Sequence, residues 1–443
     1  MTIFALSSGP GISGIAVIRV SGKKTSEVVK KLTDSTLPVP KVATLKKFNK
    51  NGQKSLIDEG VIIWFPGPNS YTGEDLAEFH VHGSHAVIKA MHAAISKIKD
   101  CRLAEPGEFT KRAFQNGKIN LLKAESIADL ISSETEIQRK QALKIMSGKS
   151  SDKFNSWREK LLKILSHVEA EIDFPDEGLP KNIIKNIQKV SKDVLVEIKK
   201  ALNDHNVGER IREGFKIAIV GPPNSGKSSL LNYLSKRDAA IVSETAGTTR
   251  DVIETHLNLD GYPVIASDTA GIRFSKNEIE KKGIKIGLKR AEDADLRLVI
   301  ISAKNVEFTS VLKGLLAKNA ILVVNKSDLI KGKLNKNFNK YECVLISIKK
   351  ELNLNKLIVK IKNKLKNKFT VNKDILITRE RHRQNLINCV HHLEKFQKKR
   401  FVQDIDKAAE DLRLATRHLG MIVGKVDVEE LLGSIFNDFC IGK

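Results

Sequence analysis

The sequence predicts a multidomain α/β chain: an N-terminal α+β domain, an all-α helical bundle, and a phosphate-loop α/β domain inserted into that bundle. Three observations predict it. Short apolar runs broken by Gly and Pro fill residues 1–118, as strands of a mixed domain do. From Leu121 the apolar period lengthens from two to about 3.6, that of a helix, and the helical pattern returns after residue 370. Between the two helical stretches, Gly221-Pro222-Pro223-Asn224-Ser225-Gly226-Lys227-Ser228 completes a G-x-x-x-x-G-K-S loop. The 73 residues after position 370 would make a marginal domain alone. The simplest architecture packs 371–443 against 119–213 and leaves 214–370 as the insert.

In the first domain, Ile15–Val20, Val61–Phe65 and Leu76–Val81 read as strands, and Pro66-Gly67-Pro68-Asn69-Ser70 as a turn. Polar residues gather where strands expect apolar ones. Arg19 interrupts Ile15–Val20, Glu78 sits inside a strand-like run, and Lys118 follows Asn116-Gly117. His80, His82 and His85 crowd one segment, but two histidines on one strand face lack a defined third metal ligand. Separate positive and negative groups in one small domain better suit a polar organic ligand with a carboxylate tail. Composition does not name that ligand.

Leu121, Leu122, Ala124, Ile127, Ala128 and Ile131 start a helical stripe expected to run to Gly148. Phe154, Trp157, Leu161, Leu165 and Val168 form a second, ended by Asp173-Phe174-Pro175-Asp176, and Ile183 to Ile198 a third. Past residue 370, Leu386, Val390 and Leu393 share a face, as do Ile405, Ala409, Leu412 and Leu419. Asp427 is placed to cap a last helix that turns Val428, Leu431, Leu432 and Ile435 inward. These stripes are expected to be bundle core.

The inserted domain carries the chemistry. Lys216–Val220 reads as a buried strand before the loop and Ser228–Leu234 as a helix after it, so backbone N–H groups would cradle phosphates at a helix N-terminus. Lys227 would reach the outer phosphates and the Ser228 hydroxyl would ligate magnesium. Asp268-Thr269-Ala270-Gly271 follows the apolar Val264–Ala266, placing a carboxylate to hold magnesium through water and a Gly N–H near the terminal phosphate. Asn325-Lys326-Ser327-Asp328 follows the strand-like Ile321–Val324. The Asp328 carboxylate can accept two N–H bonds from guanine, and adenine offers no matching pair. Thr248-Thr249 would supply a second magnesium hydroxyl from a switch loop. In chain order, with Thr248-Thr249 between the first two motifs, the four elements make a GTP-binding domain. Ile272 stands where Ras-type enzymes place a water-orienting Gln, and Arg250 and Arg273 are the nearby candidates for a cis arginine. Asn224 could instead coordinate a monovalent cation beside the phosphates, with carbonyls of Ser243–Thr248 completing its shell.

Net charge is +24 over 443 residues, unevenly placed. Residues 214–370 carry 29 basic and 15 acidic side chains, many of the lysines between Lys331 and Lys368. An RNA footprint is one explanation. Compositional bias is preferred, because Lys far outnumbers Arg and Asn and Ile are also plentiful. Cys101, Cys343, Cys389 and Cys440 are widely spread with no C-x-x-C, which argues against a disulfide framework or structural zinc. No apolar run approaches the ~18 residues of a membrane span, and Met1–Pro10 lacks the layout of a secretory signal. A soluble, cytoplasmic protein is expected.

Eight segments together carry a family likeness: GISGIAVIRVSG (11–22), FPGPNSYTGED (65–75), EPGEFTKRAFQNGK (105–118), IDFPDE (172–177), GPPNSGKSSLLN (221–232), AGTTRD (246–251), DTAGIR (268–273) and FCIGK (439–443). With them the chain resembles, along its whole length, the tRNA-modifying GTPase family called MnmE or TrmE. The resemblance implies a folate-binding, dimerising domain over 1–118, with Arg19, Glu78 and Lys118 on a tetrahydrofolate derivative in the 5,10-methylene form. Glu78 would accept N–H bonds from the pterin, and Arg19 or Lys118 would meet the carboxylates. It implies a helical domain in two parts, 119–213 and 371–443, around a GTPase domain at 214–370.

GTP would be contacted by Asn224, Ser225, Gly226, Lys227, Ser228 and Ser229, by Ser243, Glu244, Thr245, Ala246, Gly247, Thr248 and Thr249, by Asp268, Thr269, Ala270 and Gly271, and by Asn325, Lys326, Asp328 and Ser347. Potassium would fall to Asn224, Ser243, Thr245 and Thr248 and drive dimerisation of the GTPase domains, and Mg2+ to Ser228 and Thr249. Lys227, Asp268 and Glu280 would be catalytic, Glu280 aligning water in place of the missing Gln. Cys440 matches a position needed for tRNA modification, a nucleophilic or redox role standing beside that of an ordinary buried thiol.

The implied activity needs an FAD-dependent partner of the MnmG (GidA) type, FAD being held on that partner. Together they would add an aminomethyl-type group to the wobble uridine of certain tRNAs. The carbon would come from methylene-tetrahydrofolate and the nitrogen from glycine or ammonium. One departure is Ser347-Ile348-Lys349, where a Ser-Ala-Lys is usual and the bulkier Ile stands beside the base. The alternative function, a ribosome-assembly or regulatory GTPase acting as an rRNA-binding switch, predicts an RNA-binding module after the GTPase domain. Only helical pattern is found there, with no GXXG loop.

Overall fold

Alternation along Ser13–Ser21 buries Ala16, Ile18 and Val20 and leaves Val17 and Arg19 on the other face, the signature of a strand packed on one side. The same logic holds across the first domain of the computed structural model. That model describes residues 1–50, 55–174, 181–237, 254–268, 289, 291–304, 310–316, 319–329, 340–369, 375–399 and 404–426, with 432, 435, 436, 439 and 442. Two compact units form, one of Met1–Ile131, Ile145–Lys192 and His391–Lys443, the other of Ser132–Lys144 and Asp193–Val390.

In the first unit, β1 (Thr2–Leu6), β2 (Ser13–Ser21), β3 (Thr44–Asn49), β4 (Leu56–Phe65), β5 (Leu76–Gly83) and β6 (Cys101–Leu103) make one sheet of order β3-β4-β5-β2-β1-β6. Neighbours are antiparallel except β1 with β6. Helices α1 (Thr25–Thr33) and α2 (His85–Ser96) cover one face, where Phe4, Ile18, Val28, Phe48, Phe79 and Met91 form the core. Helix α3 (Glu108–Gln115) leads into α4 (Leu121–Ile131).

The single stripe expected from Leu121 to Gly148 is two helices, α4 and α5 (Glu136–Met146). Thr135 and Gln138 start the second as a reciprocal cap: Gln138 Oε1 accepts from the N–H of Thr135 at 3.0 Å, and Thr135 Oγ1 accepts from the N–H of Gln138 at 3.4 Å. Next come α6 (Lys149–Asp173), α7 (Lys181–Leu202) and α8 (Val207–Glu213). Helix α6 buries Phe154, Trp157, Leu161, Leu165 and Val168, the expected stripe.

The second unit holds a sheet of order β12-β11-β10-β7-β9-β8, from β7 (Phe215–Val220), β8 (Glu254–Leu259), β9 (Tyr262–Asp268), β10 (Leu296–Ser302), β11 (Ala320–Asn325) and β12 (Cys343–Leu345). It is parallel apart from the β8–β9 hairpin. The strands are apolar runs because both faces are covered. Helices α9 (Lys227–Arg237) and α11 (Leu354–Phe369) pack Leu230, Leu234, Leu357 and Ile361 on one face, and α10 (Ser310–Leu315) packs Leu312 and Leu315 on the other.

Helices α12 (Glu380–Lys398) and α13 (Ile405–Val423) follow. Helix α13 packs along α6, so elements that precede and follow the second sheet in the chain share one bundle, and the phosphate-loop domain is an insert. Leu432, Phe436 and Phe439 then close over Leu121 and Ala124. Asp427, Val428 and Leu431 lie outside the described residues.

Candidate functional site

The loop between β7 and α9 has the strand-loop-helix setting its motif requires. Its path depends on glycine. A Cβ on Gly221 would lie 2.0 Å from the Ile300 carbonyl oxygen, and one on Gly226, where φ is +104°, would lie 2.2 Å from Asn325 Nδ2. Asn224 also takes positive φ, +58°. Lys227 is nearly buried, and its ammonium donates to the carbonyls of Gly221 (3.1 Å) and Pro222 (2.9 Å). Asp268 ends β9 in register with Ile219, two residues before the loop begins.

The second wall comes from the ends of β11 and β12. Asn325, 3% exposed, braces both sides: Nδ2 donates to the Ser225 carbonyl (2.8 Å), and Oδ1 accepts from the N–H groups of Lys326 (2.8 Å) and Ile348 (3.2 Å). Lys326, at φ +63°, donates from Nζ to the Asn224 carbonyl (2.8 Å). Ser347 is buried and accepts from the Lys350 N–H, fixing the turn that presents Ile348. Between the walls lies a cleft of about 860 Å³ lined by Asn224, Gly226, Lys227, Ser228, Ser229, Asn325, Lys326, Asp328, Ser347 and Ile348, among others. That volume admits a nucleoside triphosphate. Ser225 is buried behind the loop and is not part of the lining.

The sequence pattern found these residues but not how they act on one another. The bracing role of Asn325 leaves no signal beyond its place in the motif. Ser243, Glu244, Thr245, Ala246, Gly247, Thr248, Thr249, Thr269, Ala270, Gly271, Glu280 and Cys440 lie outside the described residues, as do Arg250, Ile272 and Arg273.

In the first unit, Arg19 and Glu78 face each other across β2 and β5. They are not separate charges but one ion pair, Arg19 Nη2 to Glu78 Oε1 at 2.7 Å and Nε at 3.1 Å. The guanidinium lies 5.6 Å from the Tyr71 ring centre and 5.7 Å from that of Phe109, a planar cation among aromatic rings. Burial pushes the Tyr71 phenol up; its bond to Thr110 Oγ1 and the Arg19 charge only partly oppose this. Lys118 lies against the same 71–74 loop, where a Cβ on Gly73 would lie 3.2 Å from Lys118 Cε. Tyr71 and Phe109 were not singled out from the sequence, though both lie in the family-like segments 65–75 and 105–118.

The end of the chain reaches the same sheet. Phe436 and Phe439 sit against Gly107 at the start of α3, and Ser7 Oγ donates to the Gly442 carbonyl at 2.7 Å. Gly442, at φ +97°, has no room for a Cβ, which would lie 2.1 Å from the Leu6 carbonyl oxygen. The described residues on both sides of position 440 therefore contact the N-terminal domain. Among the described residues no group of three His, Cys, Asp or Glu side chains is placed to hold a metal, and no helix is long and apolar enough to cross a membrane. His82 Nδ1 instead pairs with Asp58 at 2.8 Å.

The family model described as GTP-binding protein TrmE N-terminus matches residues 2–118, and the MnmE helical domain model matches 121–440. A protein of Pelagibacter ubique (strain HTCC1062) named tRNA modification GTPase MnmE is 71% identical over 443 residues, 100% of both chains. One of the same name from Rickettsia bellii (strain RML369-C) is 45% identical over 446 aligned positions, again 100% of both. Among solved structures, a point variant of Era from Aquifex aeolicus bound to GDP·AlF4− aligns at 27% identity over 42% of this chain and 67% of that one, with TM-score 0.29.

Proposed function

Because the chain belongs to the MnmE (TrmE) family of tRNA modification GTPases, we propose that it couples GTP hydrolysis to wobble-uridine modification. With an FAD-dependent partner of the MnmG (GidA) type it adds a carboxymethylaminomethyl- or aminomethyl-type group to certain tRNAs. The observation that carries this is the reach of the likeness: full-length relatives match the sheet bearing Arg19 and Glu78 as well as the nucleotide cleft. A generic GTPase would match the cleft alone.

In this reading the limits are 1–118 for a folate-binding and dimerising domain, 119–213 and 371–443 for the helical domain, and 214–370 for the GTPase domain. The phosphate loop wraps the triphosphate with its N–H groups, Lys227 turns from the loop carbonyls to the outer phosphates, and Asp328 selects guanine. Ser228, which lines the cleft, fits Mg2+ as a hydroxyl donor, with Thr249 as the second and Asp268 acting through water. Asn224 also lines the cleft and fits K+, together with Ser243, Thr245 and Thr248. These ions would neutralise charge on the phosphates, and Glu280 orients the attacking water. Arg19, over Tyr71 and Phe109, and Glu78 paired with it offer an adjacent donor and acceptor, a match for a flat heterocycle bearing N–H groups, and Lys118 meets a carboxylate. These features support a methylene-tetrahydrofolate site. Cys440, close in sequence to the docked Phe439 and Gly442, serves the modification step. The protein works as a homodimer in the cytoplasm.

Reconstitution tests the proposal. Protein, flavoprotein partner, unmodified tRNA, methylene-tetrahydrofolate, glycine or ammonium, and GTP with K+ should yield the aminomethyl-type nucleoside. Arg19→Ala should remove product and leave GTP turnover intact. Full product formation without the folate would overturn the carbon source. No product while GTP is hydrolysed would overturn the modification role.

A further inference from the structure

The joint between α7 and α8 concentrates strain and buried charge next to the strand that feeds the phosphate loop. His205 and Asn206, both exposed, take consecutive left-handed conformations at φ +55° and +57°. Non-glycine residues take such angles uncommonly, Asn and His more readily than most, and two in succession carry a cost that the surroundings must meet. Here Asp204 Oδ1 accepts from the Asn206 N–H at 3.0 Å, and two arginines hold the groups around it. Arg383, in the first turn of α12 and nearly buried, donates from Nε and Nη2 to both Glu209 carboxylate oxygens (2.6 and 3.0 Å). It also donates to Asp204 Oδ1 (2.6 Å) and the Leu202 carbonyl (3.1 Å). Arg210 donates to the His205 carbonyl (2.7 Å) and pairs through Nε with Asp295 (2.7 Å).

Asp295 in turn holds the entry of β7. Its N–H donates to the Lys216 carbonyl at 2.9 Å and its carboxylate accepts from the Lys216 N–H at 3.2 Å. Helix α8 is thus pinned through adjacent residues, Glu209 to α12 and Arg210, by way of Asp295, to the phosphate-loop strand. Its backbone leaves no slack: a Cβ on Gly208 would lie 1.9 Å from the Ile377 carbonyl oxygen.

We propose that the α7–α8 joint is a strained hinge that carries nucleotide-dependent movement of β7 into α12, with Asp204, Glu209 and Arg383 as its clamp. A buried bidentate pair suits this use because it holds one geometry and transmits displacement instead of absorbing it. The inference needs only that the second unit binds guanine nucleotide, so it stands or falls apart from the tRNA reaction.

Hydrogen exchange on the full-length protein tests it, comparing GDP with GDP and aluminium fluoride in K+ and Mg2+. Backbone exchange over 381–390 should differ about fivefold or more between the two states, the lower end of ordinary coupling. In Arg383→Gln, and in the His205→Gly/Asn206→Gly pair, the difference should fall below about twofold while phosphate-loop protection stays. The glycine pair removes no buried contact and relieves strain, so a purely structural joint would keep the difference and its thermal stability. Equal exchange over 381–390 in both states of the unaltered protein would overturn the proposal. So would a full difference retained in the glycine pair.

Discussion

Replacing Asn325 by alanine isolates the brace between the two walls of the nucleotide cleft. The side chain is 3% exposed and makes three hydrogen bonds, one to the Ser225 carbonyl and two from the N–H groups of Lys326 and Ile348. At a net worth of about 0.5–1.5 kcal/mol each, their loss costs about 2–4 kcal/mol. Two of the freed groups belong to backbone that must hold a fixed shape: the phosphate loop at Ser225, and Lys326 at φ +63°. The cost therefore falls on the geometry that binds nucleotide. If all of it appears there, GDP affinity drops roughly 30- to 1000-fold. Asn325→Asp keeps the two accepted bonds but sets a carboxylate oxygen against the Ser225 carbonyl, so it should lose at least as much. Titration with a fluorescent GDP analogue, beside thermal unfolding, measures both. A loss of affinity below about threefold with unchanged unfolding would refute the bracing role.

Three further outcomes follow from other contacts. Gly442→Ala cannot keep φ +97° beside the Leu6 carbonyl, so it should cut tRNA modification roughly tenfold or more and leave GTP turnover unchanged; product assays on reconstituted enzyme check this. Burial raises the Glu108 carboxyl, but bonds from Arg102, the Glu105 N–H and Arg112 outweigh it and hold the group below the usual carboxylate range. A depressed carboxylate stabilises the fold above its unfolded pKa of about 4.3, and that contribution fades as pH falls through the folded value. The Tm gap between the unaltered protein and Glu108→Gln should therefore be constant from neutral pH to about 5 and shrink below about 4; a widening gap in acid would reject the sign. Glu280→Ala should abolish GTP turnover while nucleotide affinity stays near that of the unaltered protein, as single-turnover kinetics with binding titrations would show.

Period and punctuation in the sequence were enough for most elements. Alternation marked β2 and β5, the KIAIV run marked β7, and the 3.6-residue stripe of α6 buries the residues it named. The break between α4 and α5 is legible only in part: 132–135 holds no apolar residue, and Thr135-x-x-Gln138 is a capping pattern that a reading by apolar period alone passes over. At the site, motif spacing placed the residues that line the cleft but not their mutual contacts. That Asn325 ties three segments together depends on strands far apart in sequence meeting at one sheet end. The Arg19–Glu78 pair was read as two isolated charges, since register between β2 and β5 is set by the packed face and cannot be seen from either strand alone. The Arg383 clamp was missed for the same reason: its partners lie more than 170 positions away.

GTP hydrolysis by this chain should drive a chemical change in tRNA. Nucleoside mass spectrometry of total tRNA from cells depleted of the protein measures that most directly. The aminomethyl-type wobble uridine should disappear, return with the intact gene, and stay absent with Asp268→Ala. An unchanged nucleoside profile on depletion would contradict the account, leaving a guanine-nucleotide switch whose partner must be sought in ribosome profiles.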